Sequence, residues 1–438
     1  MKRLITVVVA ASLLGGCGIL DKKKKTTPSL GERISILSSE AAITVDPALA
    51  GVPITLPAAD INGQWTQPGG NASKSMGHLA LAAAPAVAWR ASIGEGSSNR
   101  SALASAPVVA DGKVFTIDTQ ATVRAFDAQS GKVVWQTQVR GEGAPSGALF
   151  GGGVSFEAGR LYATNGAGYA AALDATNGTL LWQVRPGSPL RGSPTVANDN
   201  VYVVSQDNQI FALNPADGKT RWTSSAAVEI AGVFGSAAPA AAQGTVVAGF
   251  SSGELNAYRY ENGRVLWQDA LSRTSISTAV TTLSDIDADP VIDGGRVYAV
   301  GQGGRMVALE LVTGQRIWEI NVAGTATPWV AGDWIFVVTD DAQLLAIARA
   351  TGRIRWMTQL QRWRDVKDKQ GSISWVGPVL AGDRLILANN MGQVVNVSPY
   401  DGAVQSTVAT GNRISLSPVV ANNTLYTLND NGQLTAWR

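Results

Sequence analysis

One short phrase, returning at a period of roughly 40–50 residues, decides what this chain can fold into. It consists of a small residue, a polar turn, a glycine and, four residues on, a tryptophan. It reads AFDAQSGKVVW at 125–135, ALDATNGTLLW at 172–182, ALNPADGKTRW at 212–222, AYRYENGRVLW at 257–267, ALELVTGQRIW at 308–318 and AIARATGRIRW at 346–356. A further copy, NVSPYDGAVQS at 396–406, keeps the glycine and carries Ser406 in the tryptophan slot. Self-similarity at this period means a solenoid or a propeller.

The stretch 105–138 shows one whole unit. SAPVVADGKV supplies a short apolar strand and a turn, FTID a second strand, VRAFD a third, and KVVWQTQV a fourth after the Ser130-Gly131 turn. The segments are rich in Val, Thr and aromatics and are bounded by Gly, Asn and Asp, the pattern of strands joined by hairpins. Four short antiparallel strands per unit match a propeller blade. Glycine suits the third turn because such hairpins often need φ > 0. Trp135, Trp182, Trp222, Trp267, Trp318 and Trp356 then read as packing residues, each wedged from an outer strand against the neighbouring blade.

These tryptophans and the Ser406 slot mark seven outer strands. The C-terminal SPVVANNTLYTLNDNGQLTAWR (417–438) supplies three more strands and no fourth, whereas PAVAWRASI (85–93) carries Trp89 ahead of the first complete unit. The expectation is an all-β, eight-bladed β-propeller of four-stranded antiparallel blades, closed by an N-terminal strand that completes the last blade. Closure leaves no blade half-made with an open edge. Residues 80–438 form one domain, extended beyond the usual single-core size because repeats add neighbour by neighbour.

The front end divides into a signal over 1–16 and a tether over 17–79. MKRLITVVVAASLLGGC has a basic start and an apolar run from Leu4 to Leu14, too short for a retained span, and reads as a secretory signal. Leu14-Gly15-Gly16-Cys17 resembles the lipobox of bacterial lipoproteins, which implies lipidation at Cys17, the only cysteine in the chain. Gly18, where Asp would be the retention signal of the inner membrane, implies sorting to the outer membrane. Removal of 1–16 leaves 33 basic against 33 acidic residues, a balance that gives no reason to expect nucleic acid. Residues 26–80 are rich in Pro, Ala, Gly and Thr, hold two short β-like runs (ERISILSS and ITVD), and read as a tether with the option of partial order on the propeller.

Catalytic chemistry finds little support. The single histidine, His78, precedes the repeats, which excludes HExxH and multi-histidine metal sites and argues against Ser–His catalysis. Gly249-Phe250-Ser251-Ser252-Gly253 fits GxSxG, but sits where other units have a strand–strand hairpin, whereas a nucleophile elbow needs strand–turn–helix. No catalytic residue, metal site or cofactor is expected.

The repeat A-x-D-x-x-[ST]-G-x-x-x-W, matched in full by Ala125–Trp135, resembles the docking motif of quinoprotein-type propellers. Two families carry it on eight blades: PQQ-dependent dehydrogenases and the outer-membrane assembly factors of the BamB family. Many of the first have adjacent cysteines, which this chain lacks. Lipobox, tether and blades together are similar to the second over the whole chain. That resemblance implies a lipid-anchored scaffold facing the periplasm, bound to the POTRA domains of the barrel protein BamA, with other lipoproteins of that machinery and unfolded barrel proteins as further partners. It assigns partner contact to Ser284, Asp285 and Asp287 in Leu283-Ser284-Asp285-Ile286-Asp287, and to a companion segment at Ala231-Gly232-Val233-Phe234-Gly235. There the family has an arginine and this chain has an aromatic, with Val233 and Phe234 as the corresponding contacts. Long insertions at about 269–289 and 358–377, each between an outer strand and the next inner strand, are expected to crowd one face, where loops on a rigid scaffold bind.

Overall fold

The alanine that opens each repeat is small because a tryptophan lies directly across the sheet from it. Ala125 pairs with Trp135, Ala172 with Trp182, Ala212 with Trp222, Ala257 with Trp267, Ala308 with Trp318 and Ala346 with Trp356. A β-bulge follows each of these alanines, and a bulge bends and twists the strand that carries it. The computed structural model describes residues 43–141, 150–227, 235, 237–271 and 284–438. Among them the strands form eight four-stranded antiparallel sheets and one two-stranded hairpin. Blade 1 runs from the inner strand Val108–Ala110 through Lys113–Ile117 and Thr122–Asp127 to the outer strand Val133–Gln138. In blade 8 the order is Val419–Ala421, Thr424–Leu428, Gln433–Trp437, and then Val87–Ser92 from the other end of the described chain.

Each tryptophan grips the next blade in the same way. The indole N–H donates to a backbone carbonyl of that blade: Trp89 to Ala128, Trp135 to Ala175, Trp182 to Pro215, Trp222 to Tyr260, Trp267 to Leu311, Trp318 to Arg349 and Trp356 to Pro399, all at 2.8–3.1 Å. The ring lies flat on the glycine of that blade's last hairpin. At Gly263 (φ +70°) an added Cβ would sit 2.4 Å from Cε3 of Trp222. The motif glycine therefore satisfies two demands, a left-handed turn and a surface without a side chain.

Ser406 has a topological reason. A tryptophan on blade 7 would have to seat on the last hairpin of blade 8, but in that blade the third and fourth strands come from opposite ends of the chain, so the hairpin does not exist. Blade 7 replaces the whole Ala–Trp pair: Asn396 stands opposite Ser406 and donates to its hydroxyl at 2.9 Å. At the chain junction Arg438 donates to the carbonyls of Ala128 and Gln129 beside Trp89.

From residue 43 on, the tether segment is built into the propeller. Val45 bridges in parallel to Ile354 on the outer strand of blade 6. Residues 62–79 then pass the inner strands of all eight blades. Asn62 bonds Val420 and Asn422, Trp65 exchanges two bonds with Val109, Thr66 accepts from Phe156, and the Gln67 side chain brackets Val196. Ala72 accepts from Ala241, Ser73 from Ile292, Gly77 from the Trp329 indole, and Leu79 bonds Leu380 and Gly382. These partners would otherwise be unpaired edge groups facing the channel, and leaving such groups buried without partners is costly. Trp65 stacks on Trp329 with ring centroids 6.1 Å apart. This strap crosses the face that carries each blade's first hairpin, and the tether boundary at 79 is not a boundary of order.

The seam geometry predicts that Trp222→Ala, which removes a ring packed against Tyr202 and Tyr258 at 5.8 and 6.0 Å, costs about 3–5 kcal/mol. Gly263→Ala should also lower the melting temperature, whereas Ser406→Trp should bring no gain. Calorimetric melting of the three variants checks all of this.

Candidate functional site

Opposite the strap, the segments that lead into the inner strands surround the mouth of the channel. The one before blade 5 holds Ser284-Asp285-Ile286-Asp287. Its alternation fixes the side-chain directions. Ile286 is fully buried against Gly249, where a Cβ would meet Ile286 Cγ2 at 2.4 Å, and the carboxylates on either side of it both meet Arg191. Backbone bonds pin the segment to the second hairpins of blades 4 and 5: Ile286 N–H donates to Phe250 O and Gln302 N–H to Asp285 O. Ser284 Oγ donates to Ser251 O at 3.2 Å, and Ser251, the centre of the GxSxG match, lies in a strand–strand turn with its hydroxyl on Asn208.

Asp285 and Asp287 do not face outward to a partner. Arg191, from the lead-in to blade 3, donates through Nη2 to Asp285 Oδ1 at 2.7 Å and to Asp287 Oδ1 at 3.2 Å, and through Nε to the carbonyl of Gly235 at 3.3 Å. Side-chain exposure is 3% for Arg191, 1% for Asp285 and 9% for Asp287. Both carboxylates expected to contact a partner thus have an internal cation beside them. A buried carboxylate needs an internal counter-charge, and Arg191 provides it. Val233, Phe234 and Cys17 lie outside the described residues, as does 272–283 within the 269–289 insertion. Gly235, which ends the companion segment, is in the cluster, and no other residue fits there, because a Cβ would lie 1.4 Å from Asp287 Oδ1. The positive charge of this cluster comes from the lead-in of the neighbouring blade 3. Its signal in the sequence is faint: one arginine in the small-residue run Gly187-Ser188-Pro189-Leu190-Arg191-Gly192.

Two carboxylates share one guanidinium, so burial together with the Asp285 charge pushes Asp287 up to about 7, against the pull of Arg191. Deeper in the channel Lys74 of the strap is buried, with Nζ 3.3 Å from Thr195 Oγ1, and burial lowers it to about 8 although Asp289 opposes that shift. Asp289 accepts from Ala238 N–H at 2.7 Å and is raised by its own burial. Trp65, Lys74, Asp287, Asp289, Thr327 and Trp329 line a cavity of about 170 Å³. His78 fastens the strap to blade 7: Nδ1 meets Pro57 O and Nε2 accepts from Asp383 N–H. The second insertion holds the hairpin Trp363–Asp365 and Gln370–Ser372.

The sequence model described as "Outer membrane protein assembly factor BamB" matches residues 75–150 and 119–358. This chain belongs to the BamB family. It is 27% identical to the protein of that name from Yersinia pestis over 347 residues, covering 78% of this chain and 86% of the relative. In structure, BamB from Moraxella catarrhalis superposes with a TM-score of 0.68 at 21% identity, over 81% of this chain and 99% of that one. The quinohemoprotein alcohol dehydrogenase of Comamonas testosteroni gives 0.66 at 13% identity, over 86% and 81%, a likeness of fold alone.

The carboxylate cluster generates a pH prediction. A carboxyl raised in the folded state contributes stability that is fully present below its unfolded pKa near 4 and is lost as pH rises through about 7. Asp287→Asn removes that loss, so the melting-temperature difference, variant minus parent, should be more positive at pH 8 than at pH 5. Calorimetry at the two pH values decides it, and an equal difference would contradict the assignment.

Proposed function

We propose that this BamB-family chain is a lipid-anchored, non-catalytic scaffold subunit of the machinery that assembles β-barrel proteins into the outer membrane, docked on the periplasmic POTRA domains of BamA. Family membership supports the machinery. The observation that carries the choice of surface is the asymmetry of the ring. One face is sealed by the strap, whereas on the other Ser284–Asp289 is held between blades and the 363–372 hairpin projects beside a channel mouth. In this reading Asp285 and Asp287 act through the shape they impose on the segment, and Ser284 and neighbouring loop residues make the contact. Rigid presentation of a loop lowers the ordering cost of binding.

The alternative, a quinone-dependent dehydrogenase, fits the channel poorly. Small-molecule sites usually occupy about 300–1,000 Å³, and here the strap leaves about 170 Å³ with Lys74 and Trp65 among the lining side chains. A scaffold needs no such space.

Two experiments test the reading. The mature full chain in detergent micelles should bind the isolated periplasmic domains of BamA from the same organism, whereas binding of added quinone and calcium with dye-linked alcohol oxidation would support the enzyme instead. For the anchor, Cys17→Ser should move the protein from the membrane to the soluble fraction, and unchanged membrane fractionation would overturn lipidation.

A further inference from the structure

We propose that Arg191 is a positioning residue of the docking face, a clasp by which blade 3 fixes the lead-ins of blades 4 and 5 in their binding geometry. The proposal rests on the docking reading above. Three lead-ins meet at one guanidinium: its own, that of blade 4 through the Gly235 carbonyl, and that of blade 5 through Asp285 and Asp287. The cluster is not needed to close the ring, because the tryptophan seams and the strap already join every blade. Its charges are expensive to bury, whereas Ile286 in the same segment is buried as a hydrophobic side chain. Arg191 is itself held firmly: its N–H donates to Val204 O and its carbonyl accepts from Gly152 N–H. The guanidinium is a planar fork with several donors, which lets one side chain hold two carboxylates and a carbonyl at once; a lysine ammonium is a compact point charge without that fork.

Asp287 is the member that faces the channel. It alone of the three charged groups also lines the channel cavity, and Asp340 adds a further negative charge nearby. The lead-in of blade 5 is thus tied by Ile286 on one side and by Asp285 on the other, and reaches the channel cavity through Asp287.

The test uses the mature full chain in micelles and three readouts: affinity for the BamA periplasmic domains, hydrogen exchange of the amides from Ser284 to Ala288, and exchange in blade 7 as a control. Arg191→Lys should weaken binding at least tenfold and speed exchange over 284–288 at least tenfold, with blade 7 unchanged. Asp287→Asn, which keeps an acceptor for Arg191, should bind within about threefold of the parent. If Arg191→Lys does not fold, the neutral triple Arg191→Met, Asp285→Asn, Asp287→Asn carries the same test without a stranded charge. Binding equal to the parent, or loosening that spreads equally to blade 7, overturns the assignment while leaving the docking reading intact. A parent chain that does not bind overturns the docking reading itself and the assignment with it.

Discussion

The contact on which the rest of the structure depends is an indole lying on a glycine. At seven seams a tryptophan from one blade's outer strand covers the last turn of the next blade and donates to its backbone. The alanine opposite the tryptophan, the bulge after it and the glycine beneath the ring are all consequences of that one contact. Because each seam joins only neighbours, stability accumulates around the ring, as in other repeat proteins. The eighth seam lacks its receiving hairpin, and there the sequence abandons both partners of the pair, with Asn396 and Ser406 bonded to each other instead.

Seams hold the blades at their periphery and do nothing for the inner strands. Eight short inner strands converge on the channel with edges that need partners, and the strap supplies them one blade after another. It also makes the two faces of the ring chemically different. The asymmetry matters for function: one face is committed to internal bonds, and the other presents the lead-in of blade 5 and the 363–372 hairpin.

Much of this was legible in the sequence because it repeats. The period, the glycines, Trp89 as the outer strand of the last blade and the strand–strand turn at Ser251 all follow from comparing copies within the chain. Elements that occur once were harder to read. Residues 43–79 have the composition of a linker and no periodicity, and their order depends on edge groups supplied by eight separate strands. Arg191 has no local partner: Asp285 is 94 residues away, and nothing near either residue announces the pair. Asp285 and Asp287 read as partner contacts through the resemblance, and burial beside a guanidinium is what lets the two neighbouring carboxylates stay in place. The resemblance located the segment, and the fold gives its carboxylates an internal cation.

The central claim is that the channel-mouth face, and not the strap face, meets the assembly machinery. The most direct measurement is photocrosslinking in intact cells from a reactive side chain placed at position 284 or, as a control, at the exposed Ile61 just ahead of the strap. The account predicts a crosslink to BamA from position 284 and none from 61. A crosslink from 61 with none from 284 would contradict it.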